Sequence, residues 1–297
     1  STFIRDTQDS SPVVRALAVR MMCRIKLDTV AENFIIPLKH TLKDKDPYVR
    51  KTAAMAVAKL YDIIPDVVEN AQLCQELLKL LGDENPMVVS NATAALFEIN
   101  DRRTSPVFEV NEETTIPILA AMTQCSASVQ CILLDALYRY SPKTSEEAGF
   151  LIDRLIPLLK NADAAVVVGA FKCILQFIPL SLRPPPDVFK VIIPPFITLL
   201  SMSTEPEIQF VILRTINLFV QKYPKALTKE IRVFMCSYND PSYIKLEKLD
   251  IIVALTAPMI VSIVLNELEE YCNSVDVAFV RKSIQSVTKI ALQMEMA

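Results

Sequence analysis

A short turn motif returns along the whole 297-residue chain, and its spacing limits the fold more than any other feature of the sequence. An acidic or amide residue, commonly with proline, precedes Val or Ile, then a marker residue, then a run rich in Ala, Leu and Val. The first sets are Asp9, Pro12, Val14, Arg15, then Asp44, Pro47, Val49, Arg50, then Asp83, Pro86, Val88, Val89. Val129 with Gln130, and Asp163 with Val166 and Val167, continue the series. Glu205, Pro206, Ile208, Gln209 follow, then Asp240, Pro241, Ile244, Lys245, and finally Asp276, Val280, Arg281. Successive markers are 35, 39, 41, 37, 42, 36 and 36 residues apart. That is the period of a two-helix unit, which cannot bury its apolar face alone and must stack on its neighbours.

Turn chemistry explains why these residue types recur. Asp or Asn accepts hydrogen bonds from the open N–H groups of a coming helix, and proline fits the first turn, where its missing donor would have been unpaired anyway. The chain has 19 prolines, of which five precede second helices, five lie in first helices (Pro37, Pro117, Pro157, Pro194, Pro195) and four follow second helices (Pro65, Pro142, Pro179, Pro224). Proline inside the first helix is expected to kink it. The second helix of the second unit carries Ala53, Ala54, Ala56 and Ala58, which allow a neighbouring helix to approach closely. With 3 glycines against roughly 21 in an average chain of this length, folds built on positive-φ turns are excluded. The pattern resembles HEAT repeats. It implies an all-α fold, a right-handed α-solenoid of HEAT/armadillo-like helical repeats with about eight helix pairs, residues 1–297 forming a single solenoid.

Formal net charge is −3, which argues against a general nucleic-acid binder. The charge is uneven, because residues 1–60 carry 11 Lys/Arg against 6 Asp/Glu. The 7 cysteines are scattered, with no CxxC pair, and read as small buried hydrophobes in a reducing compartment. The most apolar run, 251–265, is short for a bilayer span and reads as core helix. No GxSxG, P-loop, HExxH or EF-hand pattern is present, and the single histidine, His40, has no partner at a catalytic or metal-binding spacing. The expectation is a protein without catalytic residues, cofactor or metal.

Five blocks go beyond the repeat pattern. Tyr238 to Ile251, beginning Tyr-Asn-Asp-Pro-Ser-Tyr-Ile-Lys, resembles a block in the trunk of the β-adaptin large subunit of clathrin adaptor complexes. So do Leu42 to Ala54, Arg15 to Arg20, Asn85 to Ala92, and Val275 to Lys282. The resemblance weakens at 101–113 and around Pro184, Pro185 and Pro186, both read as inter-repeat loops. It implies an interior segment of a diverged β-adaptin trunk, closest to the β chains of the first two clathrin adaptor complexes, without hinge or appendage. The function implied is a non-catalytic scaffold in vesicle-mediated protein transport, on the cytosolic face of Golgi, endosomal or plasma-membrane coats. Implied partners are a second large adaptin chain and the medium and small subunits. An Arf-family GTPase and phosphoinositide membrane would meet the basic end, and clathrin would be met only through the hinge. A phosphatase-type scaffold and a nuclear-transport receptor share the fold class and stand as alternatives; a peptide-reading armadillo importin would need tryptophans that this chain lacks.

Two groups of residues stand out as sites. Lys39, Lys43 and Lys45, with His40, form an exposed basic cluster before a loop, which reads either as a contact for phosphate or an acidic partner or as a solvated helix end. Asp44, Pro47 and Arg50, repeated as Asp240, Pro241 and Lys245, form the structural turn. Arg15 and Arg50 are expected to bridge to a carboxylate of the next turn, Asp44 or Asp83.

Overall fold

Every marker set opens a helix in the computed structural model, which describes residues 2–123 and 125–295. Among these residues there is no strand. The chain divides into two compact units, residues 1–142 and 143–297.

In the first unit, α1 (Thr2–Asp6) precedes α2 (Pro12–Met22). Then α3 (Asp28–Ala31) and α4 (Ile35–Thr41) precede α5 (Pro47–Tyr61), and α6 (Pro65–Asn70) with α7 (Leu73–Lys79) precede α8 (Pro86–Asn100). The last pair is α9 (Glu112–Met122) and α10 (Ala127–Tyr138). Proline sets where the first helices break. Pro37 has no N–H and its ring collides with the carbonyl of Asn33, so the chain tightens into a 3-10 turn at Glu32–Phe34 between α3 and α4. The kink expected of Pro37 is therefore a full break of the first helix into two short pieces. Packing proceeds from second helix to second helix: α5 lies between α2 and α8, and Ala53, Ala54, Ala56 and Ala58 are all buried, as close approach requires. Phe34, Leu38 and Leu42 fill the space beneath them with Val57, Leu60 and Leu77.

The second unit runs α11 (Ser145–Leu155), α12 (Ala164–Phe177), α13 (Pro185–Met202), α14 (Pro206–Lys222), α15 (Ser242–Leu255), α16 (Val261–Cys272) and α17 (Val277–Glu295). Pro157 turns the end of α11 into a 3-10 stretch at Ile156–Lys160, whereas α9 and α13 stay α-helical through Pro117 and through Pro194 and Pro195. By length and apolar composition α13 could cross a bilayer. Its buried stripe instead packs the core: Phe196 stacks on Phe171 at 3.9 Å between ring centroids, and Phe189 meets Phe219 edge-on at 5.2 Å. The apolar run 251–265 is not one helix, since α15 ends at Leu255 and α16 begins at Val261.

The seventh pair departs from the two-helix plan. Its first member is two 3-10 segments, Pro224–Ala226 and Thr228–Phe234. The cause is length: α14 takes 17 residues of a 36-residue interval, and the remainder between Lys222 and Ser242 must also supply two turns. Of the cysteines, Cys23, Cys74 and Cys173 are buried as expected, whereas Cys125, Cys131, Cys236 and Cys272 are half-buried.

Positive φ is served without glycine. The one such residue among those described is Gln72, at φ 58° in the exposed joint between α6 and α7. A Cβ in that region costs about 1–2 kcal/mol. Gln72→Gly is therefore expected to stabilise the chain by about 1 kcal/mol in urea unfolding, whereas Gln72→Val is expected to destabilise it.

Candidate functional site: the turn ladder and the basic face

Four turns share one local geometry. Asp9, Asp44, Asp83 and Asn161 each accept, through one Oδ1, the N–H two residues on, at 2.8, 2.9, 2.9 and 2.9 Å. In three of them the residue whose N–H donates to the turn then caps the helix: Asp46, Asn85 and Asp163 accept from Tyr48, Met87 and Ala165 at 2.8, 3.0 and 2.9 Å. The capping function expected of Asp44 and Asp83 thus belongs to Asp46 and Asn85, and the earlier carboxylates are free for another partner.

That partner is the arginine of the preceding unit. Arg15 donates from Nε and Nη2 to the two oxygens of Asp44 at 2.7 and 2.8 Å, and Arg50 grips Asp83 in the same way at 2.7 and 2.9 Å. The remaining Nη1 of each turns back on its own turn, Arg15 to the carbonyls of Asp9 and Ser10, Arg50 to those of Asp44 and Lys45. Only a planar fork makes all four contacts. Burial pushes the Asp44 and Asp83 carboxyls up, but the arginine hydrogen bonds and the turn N–H outweigh it and hold both below the usual carboxylate range. The bridges expected from the sequence are present.

Further along, where Gln or Lys stands at the marker, the backward contact to its own turn is kept. Gln130 donates to the Met122 carbonyl at 2.9 Å, Gln209 to that of Ser203 at 2.5 Å, and Lys245 to that of Tyr238 at 3.0 Å. The seventh turn differs in detail from the second. Asp240 pairs with Lys248 at 2.6 Å rather than with an arginine of the preceding unit, and Pro241 stands just outside α15 where Pro47 stands inside α5. The next carboxylate, Asp276, takes the Ser242 hydroxyl, and Lys245 lies over the Phe279 ring at 5.5 Å.

The basic cluster is only partly free. Lys39, His40 and Lys45 are exposed, while Lys43 reaches Glu76 at 3.1 Å, a carboxylate shared with Lys79 at 2.8 Å. Asp44, between Lys43 and Lys45 in sequence, is turned inward to Arg15 and does not neutralise them directly. Among the described residues no group of His, Cys, Asp or Glu is arranged to hold a metal ion.

One anchor escaped sequence reading. Asn100, at the end of α8, accepts from Val107 N–H at 2.7 Å and donates to the Phe108 carbonyl, pinning the long loop before α9. An asparagine closing a helix before a loop of eleven residues was the available signal.

Comparison with known proteins gives this geometry a family. Residues 1–296 match the domain family described as the adaptin N terminal region. The chain belongs to that family. This adaptin is 44% identical over its whole length to the AP-1 complex subunit beta of Dictyostelium discoideum and 43% identical over 99% of its length to the AP-1 complex subunit beta-1 of Homo sapiens. The AP-2 complex subunit beta of Schizosaccharomyces pombe is 34% identical over 98% of it. The adaptin chain spans about a third of the length of the two AP-1 relatives, 32% and 31%. Among solved structures, a chain of a full-length AP-3 complex matches 98% of it at TM-score 0.63 and 16% identity, over 51% of that chain. Importin beta matches 98% of it at TM-score 0.59 and 14% identity, over 40% of its own length. Those two likenesses establish an all-α, HEAT-like solenoid fold and no more.

Arg50→Ala leaves the mostly buried Asp83 unpaired and is expected to cost about 2–3 kcal/mol in denaturant unfolding, with Arg50→Lys recovering only part. The folded Asp83 is depressed, so its contribution is complete above the unfolded value of about 4 and is lost as pH falls through the lower folded value. Arg50→Ala is accordingly expected to flatten the acid limb of the stability-against-pH curve.

Proposed function

We propose that this adaptin segment is a non-catalytic scaffold within a clathrin-associated adaptor complex, acting in vesicle-mediated protein transport on the cytosolic face of a coated membrane. The observation that carries the reading is the 44% identity, over all of the chain, to a protein named as a subunit of the AP-1 complex. We further propose that residues 1–297 act as one segment of a trunk solenoid, pairing with a second large chain and with the medium and small subunits. Surface composition supports such contacts: Ile36, Ile116, Leu182, Leu218 and Met259 are at least 65% exposed, more large apolar surface than solvation alone favours. Full-length protein is expected to co-purify with medium and small adaptor subunits. Recovery with a phosphatase catalytic subunit or nuclear-transport cargo instead would overturn the assignment.

The basic cluster is proposed to face an anionic membrane or an Arf-family GTPase. Lys39 and Lys45 support this because they are exposed with no ion pair among the described residues, and Lys43 because its pair with Glu76 is one that a stronger anion can displace. Each lysine near an anionic leaflet contributes about 1 kcal/mol. The triple change Lys39→Glu, Lys43→Glu, Lys45→Glu is expected to lower binding to phosphoinositide vesicles or to the GTP-bound GTPase about tenfold or more at low salt, with the difference shrinking as salt rises. Equal binding at low salt would remove this surface from the proposal.

A further inference from the structure

Second helices of adjacent repeats meet in one register at Gln209/Lys245 and Lys245/Arg281, where opposite charges pair, whereas the same register at Arg15/Arg50 sets cation against cation. Counting from the marker of each repeat, the residue five positions on faces residues one and two positions past the next marker. In the second unit, Arg214 (five past Gln209) donates to Glu247 (two past Lys245) at 3.1 Å. Asp250 (five past Lys245) accepts from Lys282 (one past Arg281) at 2.6 Å. In the first unit the same register brings Arg20 (five past Arg15) to Lys51 and Thr52 (one and two past Arg50), so a cation faces a cation and a neutral hydroxyl.

The place is a cavity of about 220 Å³ between α2, α5 and α8, lined by Arg20, Lys51, Thr52, Met55, Lys59 and Asn91. Arg20 reaches only the Tyr48 hydroxyl, at 3.5 Å, and Lys51 lies over the Tyr48 ring at 4.8 Å. Lys59 has no carboxylate partner, and its field acts on Cys23 in the cavity wall, where burial nonetheless pushes the thiol up to about 12. Of the carboxylates close by in sequence, Asp46 caps α5 by accepting from Tyr48 N–H, and Asp62 on the turn after α5 and Glu98 on α8 are both held by Arg102. Among the described residues, three cations of one cavity are thus left without an anion, in a chain whose net charge is −3. Beside them on the stripe of α2 that carries Arg20 stand Val13 and Leu17, 63% and 53% exposed.

We propose that this face docks an acidic, apolar helix or strand of a protein partner, whose carboxylates settle among Arg20, Lys51 and Lys59 while an aliphatic side chain covers Val13 and Leu17. Charge complementarity argues for the acid, and the bare aliphatic stripe beside it argues for a peptide rather than a phosphate group, which would leave that stripe wet. The surface is separate from the Lys39, Lys43 and Lys45 cluster, and the inference does not depend on which complex the adaptin serves.

The test uses a fluorescent peptide of about 20 residues with Glu and Leu spaced to share one helical face, and a version with Ser in place of Leu. The 297-residue chain is expected to bind the Glu/Leu peptide and to bind the Ser version several-fold more weakly. Arg20→Glu with Lys51→Glu is expected to weaken binding about tenfold or more, whereas Lys225→Glu with Lys229→Glu leaves it unchanged. Thr52→Glu installs the carboxylate that Glu247 supplies in the second unit. It is expected to raise Tm while weakening the peptide, a combination that misfolding cannot produce. Unchanged binding in both Arg20/Lys51 and Thr52 variants would overturn the proposal. So would equal binding of the Ser peptide, or capture of tripolyphosphate or phosphatidylserine vesicles by the same cations in preference to the Glu/Leu peptide.

Discussion

The arginine fork between consecutive turns is the contact on which the order of the first repeats depends. A solenoid has no long-range core to fix the rotation of one pair on the next, and apolar stripes tolerate sliding. Arg15 and Arg50 remove that freedom because each is held by two carboxylate oxygens ahead and two carbonyls behind. Since Asp44 also orders the turn that Arg50 grips from behind, each rung of the ladder positions the next. Where Gln209 and Lys245 replace arginine, the turn is still stitched to its own helix, and the join to the following repeat is made by packing, by Lys245 over the Phe279 ring and by pairs along the helix sides such as Arg214 with Glu247.

Local chemistry made much of this legible in the sequence. The recurring acid-and-proline turn announces helix starts because capping is a local matter, and all eight second helices begin where it places them, although the caps themselves are Asp46 and Asn85 rather than Asp44 and Asp83. The Arg50 to Asp83 bridge was legible because the repeat fixes both offsets. Features decided by competition for length or by distant backbone were not. The seventh first helix collapses to 3-10 turns because α14 uses the residues it would need, and Asn100 clamps a loop through backbone groups seven and eight positions away. Gln72 adopts a left-handed backbone that nothing in its side chain favours.

Two basic surfaces emerge in the same half of the chain, and they differ in kind. The Lys39, Lys43 and Lys45 cluster sits at a first-helix end and its turn, suited to a broad anionic surface because its charges are long-stemmed and solvated. The cavity at Arg20 and Lys51 is walled by second helices and bordered by aliphatic side chains, so it recognises shape as well as charge. A simple charge count over residues 1–60 merges the two; only the register between α2 and α5 separates them.

Val89 stands in the third repeat where arginine stands in the first two, and the fork stops there. A joint gripped at four points resists both twist and shear, whereas one held by side-chain packing yields to either. Mechanical compliance in the first unit is therefore graded along the chain, stiff through the turns at Asp44 and Asp83 and softer beyond α8. A single substitution pattern at one position of the repeat acts as a setting of local elasticity, independent of how tightly each helix pair is itself folded.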